Sequence, residues 1–88
     1  MKHELKIWPQ YYQAVKDGTK TFEVRKNDRG FQKGDIVELR EYDPEKITNW
    51  GFDDWVDNSP LLTFEIGYVL PIDAERVVFS LIKSEAIL

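Results

Sequence analysis

Apolar residues recur at every second position in five short runs of this chain, and at helical spacing in only one. No other feature restricts the fold as much, because period two marks a strand and period 3.6 a helix. His3-Glu4-Leu5-Lys6-Ile7 alternates, with Leu5 and Ile7 on one face and Glu4 and Lys6 on the other. Trp8-Pro9 ends this strand, since the residue before a proline is pushed to an extended conformation and proline suits the first turn of a helix. Residues 10–16 then place Tyr11, Ala14 and Val15 at i, i+3 and i+4, which predicts a two-turn helix with that face toward the core. Asp17-Gly18 closes it, with Gly18 placed for a left-handed C-terminal cap.

Four further strands are predicted at residues 21–26, 36–42, 61–70 and 76–82. In the first of these Phe22 and Val24 share one face, and Thr21, Glu23 and Arg25 share the other. Val37 and Leu39 oppose Glu38, Arg40 and Tyr42 in the next. The order is β-α-β-β-β-β. One early helix and no later crossover helix imply an α+β domain whose sheet, antiparallel or mixed, curls into a small open barrel.

Eighty-eight residues make one domain, residues 1–88. Between 43 and 60 lies an acidic insertion carrying Trp50 and Trp55, long for a connection and apolar enough to fold back and pack, or to serve as an interaction surface. The absence of cysteine excludes disulfides and leaves no thiolate set for structural zinc, as expected of a protein in a reducing cytoplasm. Neither a leader nor a long apolar run is visible, so no membrane association is expected. No cofactor or metal motif stands out: Asp53, Asp54 and Asp57 lack the alternation and central glycine of a calcium loop. The single histidine, His3, reads as a surface or strand-edge residue, and Ser80 has no histidine near it in sequence to make a serine triad.

Charge is unevenly placed. The chain carries a formal net charge of −4, which argues against strong non-specific nucleic-acid binding. Yet residues 16–40 hold seven cationic side chains against five acids, so a local basic strip is available for a specific or single-stranded target. Within that strip Gly18, Lys20, Glu23 and Arg25 form the pattern G-x-K-x-x-E-x-R at the helix-to-strand joint. Side chains two apart on a strand share a face about 6.5–7 Å apart. Glu23 and Arg25 are therefore neighbours, able to form a solvated ion-pair face or to bracket one ligand. The arginine offers a planar fork of donors for a phosphate or a base edge.

This run resembles the signature of the ASCH domains, a branch of the PUA-like superfamily. The likeness extends to His3-Glu4-Leu5-Lys6-Ile7, the helix, Lys26-Asn27-Asp28-Arg29, Gly34-Asp35 and Leu39-Arg40-Glu41-Tyr42. It covers residues 3–42 and extends to the C-terminal strand from Val77 to Ile82, departs at the 43–60 insertion, and resembles a small uncharacterised bacterial and phage subfamily. The resemblance implies a PUA-like pseudo-barrel with a cleft beside the helix that binds RNA or a nucleotide-like ligand. Lys20, Glu23 and Arg25 would line it, with Lys6, Arg29 and Arg40 as neighbours and Trp8 or Tyr42 available to stack on a base. A second ASCH branch implies a different activity, hydrolysis of N4-acetylcytidine-like modified nucleosides. There Lys20 and Glu23 would be catalytic, with Glu65 or Glu75 as the downstream acid. Glu23, however, stands where that branch has a threonine.

Overall fold

In the computed structural model, which describes residues 1–43, 47–48, 51–52 and 59–83, the alternating runs all become strands. The elements are β1 (Lys2–Ile7), α1 (Pro9–Lys16), β2 (Phe22–Lys26), β3 (Ile36–Glu41), β4 (Ile47–Thr48), β5 (Gly51–Phe52), β6 (Leu62–Pro71) and β7 (Arg76–Lys83). β4 and β5 pair as a short ladder within the 43–60 insertion. Trp50 and Trp55, and the acids Glu45, Asp53, Asp54 and Asp57, lie outside the described residues.

The main sheet is mixed, in the order β1-β3-β6-β7-β2. β1 runs parallel to β3, whereas β3–β6, β6–β7 and β7–β2 are antiparallel. β1 and β2 are consecutive strands in the chain yet occupy opposite edges of the sheet, with α1 carrying the chain between them. The sheet curls into a half-barrel that brings these edges back toward each other. An Arg25 N–H from β2 reaches the Lys6 carbonyl of β1 at 2.7 Å.

The alternation decides which side chains fill the interior. Leu5 and Ile7 from β1, Val37 and Leu39 from β3, Ile66 from β6, and Val77, Phe79 and Leu81 from β7 are buried together. The helix contributes Tyr12 and Val15. It is therefore turned by about one residue from the expected face: Tyr11 is 46% exposed and Tyr12 takes the interior position. The reason is polar as well as apolar, because the Tyr12 hydroxyl finds a partner inside, donating to the Pro60 carbonyl at 2.7 Å. Burial, with the nearby Glu41 carboxylate, raises the Tyr12 pKa above its ordinary value.

His3 lies on an edge strand, one of the two expected places, but not at the surface. It is buried, because period two puts it on the same face as Leu5 and Ile7. Its Nε2 lies 2.8 Å from Asp35 Oδ2, and its ring packs 4.8 Å from that of Phe31. The hydrogen bond to His3 is the main reason that the Asp35 carboxyl is held below the usual carboxylate range, with the Gln32 N–H and the Met1 ammonium adding to it. A further irregularity sits in β6, where the register against β7 shifts between Ile66 and Val69. The Tyr68 N–H left over there donates to Ser80 Oγ at 2.9 Å.

Candidate functional site

The pairing of β2 with β7 builds the site. Glu23 stands opposite Phe79, and Val24 opposite Val78. Residues paired across a sheet share a face. Glu23 therefore points inward beside the buried Phe79, while Phe22 and Val24 point out. Exposure bears this out: Glu23 is 3% exposed, against 45% for Phe22 and 44% for Val24. The solvated ion-pair face that alternation allows is thus turned inside out.

A carboxylate removed from water must be paired and hydrogen-bonded. Glu23 is held on both oxygens: Lys20 Nζ donates to Oε1, and Arg25 Nε donates to Oε2 at 2.9 Å. Local folding puts Lys20 there. Gly18 takes φ +86°, a conformation that side-chain-bearing residues rarely adopt, and the chain turns tightly off the helix. The Lys20 N–H then bonds back to the Ala14 carbonyl at 3.0 Å. Its ammonium lies 5.3 Å from the centre of the Tyr11 ring and 5.4 Å from that of Phe22, within cation–π range.

These groups line an open cleft of about 430 Å³ between the two sheet edges and the start of α1. Lys20, Glu23 and Arg25 form one wall, Lys6 and Ile7 the other, and Trp8 and Tyr11 the rim. The two rim rings stack nearly parallel, 18° apart with centroids separated by 6.2 Å, and both are about half exposed. A second groove of about 370 Å³, lined by Glu4, Leu5, Lys6, Arg25 and Arg29, shares Lys6 and Arg25 with the first. Arg29 crosses this groove, an Nη1 N–H donating to the Glu4 carbonyl at 2.9 Å.

Five of the six residues expected at a site are therefore brought together: Lys6, Lys20, Glu23 and Arg25 in the cleft, and Arg29 in the adjoining groove. Arg40 lines neither; it lies on β3 in register with Lys6, its Nη1 4.0 Å from Glu4 Oε1. Of the two aromatics considered for stacking, Trp8 lines the cleft and Tyr42 does not; the Tyr42 ring receives Lys6 Nζ at 4.7 Å. Sequence reasoning assigned Tyr11 to the core and so missed it as the second ring of the stack. The signal that would have found it is the adjacent Tyr12, which competes for the same inward position. Glu65 and Glu75 line neither groove.

Residues 2–57 match the family described as a domain of unknown function, DUF3850. The chain belongs to that family. The matched segment contains every residue lining the cleft and the adjoining groove, and it ends before β6 and β7. This DUF3850 chain is also 30% identical over 88 residues to an uncharacterised 12.9 kDa protein in the GpA 3′ region of Escherichia phage P2, across 89% of this chain and 81% of the phage protein.

Proposed function

We propose that the cleft binds a nucleotide unit, presented by RNA or as a free nucleotide-like ligand, in a DUF3850 domain of PUA-like type similar to the ASCH domains. The buried Glu23 clamped between Lys20 and Arg25, beneath the exposed Trp8–Tyr11 stack, carries this reading. Glu23 is the positioning group. It spends its charge on two cations and fixes their donors at the cleft wall. A guanidinium has five N–H donors and an ammonium three. After the bonds to Glu23 and Lys6, Arg25 keeps N–H groups for phosphate oxygens or base acceptors, and so does Lys20. Lys6, Lys20 and Arg25 against Glu23 leave the lining cationic on a chain whose net charge is −4. The half-exposed Trp8 ring suits a base, a contact worth about 1–3 kcal/mol.

The test is calorimetric titration with uridine 5′-monophosphate at low salt. Saturable binding is expected, weakened about five- to 150-fold by Trp8→Ala, as the loss of one stacking contact predicts. Indifference to both Trp8→Ala and Lys20→Ala would refute the assignment.

The amidohydrolase reading draws on the same contact between Lys20 and Glu23. It is less well supported. The described cleft residues include neither a serine nor a threonine, and both downstream glutamates lie elsewhere. Turnover of N4-acetylcytidine that disappears in Lys20→Ala would restore it.

A further inference from the structure

β1 meets β3 through one edge only. The Met1 and Ile7 carbonyls accept from Ile36 and Tyr42 of the β3 side, at 2.9 and 2.8 Å. Successive carbonyls of a strand face opposite edges, so those of Glu4 and Lys6 look across the seam toward β2. Each is taken by one arginine: Lys6 by Arg25 at 2.7 Å and Glu4 by Arg29 at 2.9 Å. The two carbonyls are two residues apart on an extended strand, about 6.5–7 Å, and one guanidinium docks on each. That separation matches neighbouring phosphates along an extended single strand of nucleic acid. Both guanidinium groups border the groove that continues the cleft, and neither spends more than two of its five N–H donors on the bonds described.

Resting on the reading of the cleft as a nucleotide site, we propose that the β1–β2 seam is a phosphate ruler. It binds two consecutive phosphates of a single-stranded nucleic acid, one at Arg25 and the next at Arg29, with the base of the first nucleotide on the Trp8–Tyr11 rim. β1 sets the spacing through its backbone. The ligand that spans the whole seam is therefore a strand with two consecutive phosphates rather than an isolated nucleotide. Glu4, the acid lining this groove, has its Oε1 4.0 Å from Arg40 Nη1, which offsets part of its charge.

The experiment titrates the full chain with UpU, which has one phosphate, and UpUpU, which has two, at 50 and 200 mM salt. Each neutralised phosphate of a single strand contributes about −0.7 to the log–log salt slope, so UpUpU should weaken about sevenfold and UpU about threefold. Arg29→Gln should reduce the UpUpU dependence to about threefold, while Arg29→Lys, which keeps the charge, should retain sevenfold. The deoxy trinucleotide TpTpT should behave as UpUpU, because the contacts are to phosphate. Equal salt dependence for UpU and UpUpU, or an Arg29→Gln protein that still loses sevenfold, overturns the ruler while leaving the cleft reading intact. Failure of UpU and UpUpU alike removes both. A doubly phosphorylated peptide that outcompetes UpUpU would reassign the seam to protein and overturn the nucleic-acid proposal.

Discussion

Removing the Glu23 carboxylate tests the central physical claim, that the charged face of β2 is buried. Glu23→Ala deletes two charge-assisted hydrogen bonds, one to Lys20 and one to Arg25, from a side chain only 4% exposed. Bonds to charged groups are worth about 1.5–3 kcal/mol each. The partners are 19% and 24% exposed, so water recovers part of that on mutation. A net loss of about 2–4 kcal/mol follows. An 88-residue domain has about 4–13 kcal/mol in all. The variant should therefore lose a large fraction of its stability and melt about 10–30 °C lower. Equilibrium urea unfolding measures this directly. Lys2→Ala is the internal control: Lys2 pairs with Glu38 at 2.9 Å, but its side chain is 66% exposed, and such a pair contributes about 0–1 kcal/mol. Glu23→Gln keeps the shape and one acceptor and should fall between the two. If Glu23→Ala cost no more than Lys2→Ala, the carboxylate would be solvated and the clamp argument wrong.

Acid stability should depend on Asp35. Its folded pKa lies below the unfolded value, so its contribution is present above about pH 3.9 and is lost as the pH falls through the lower folded value. Unfolding followed by circular dichroism from pH 6 down to pH 2 should show that loss, and Asp35→Asn should remove this part of the pH dependence. At Gly67 the obstacle is steric. A methyl group there would come within 2.4 Å of Ile82 Cδ1 and 2.7 Å of Ser80 Oγ, the acceptor of the Tyr68 N–H. Because Ile82 is 48% exposed and can swing aside, Gly67→Ala should cost only about 1–2 kcal/mol in thermal unfolding, and an unchanged melting temperature would mean that the bulge relaxes freely.

Strand and helix positions were legible in the sequence because they depend on local periodicity alone. β1, β3, β6 and β7 end within about two residues of where the alternation places them, and Gly18 takes the left-handed conformation expected of it. The same periodicity says that Glu23 and Arg25 are neighbours on one face, and they are hydrogen-bonded. It does not say which face is inside. That choice belongs to the register of β2 against β7, a contact between segments more than fifty residues apart, and it puts Glu23 in the interior against simple hydrophobicity. The choice between Tyr11 and Tyr12 is of the same kind: both tyrosines suit an apolar helix face, and the Pro60 carbonyl, supplied from across the chain, accepts the hydroxyl of Tyr12. Local composition thus settled what each segment would become, whereas only tertiary pairing turned a charged run into a cleft, because burial is a property of what a strand packs against.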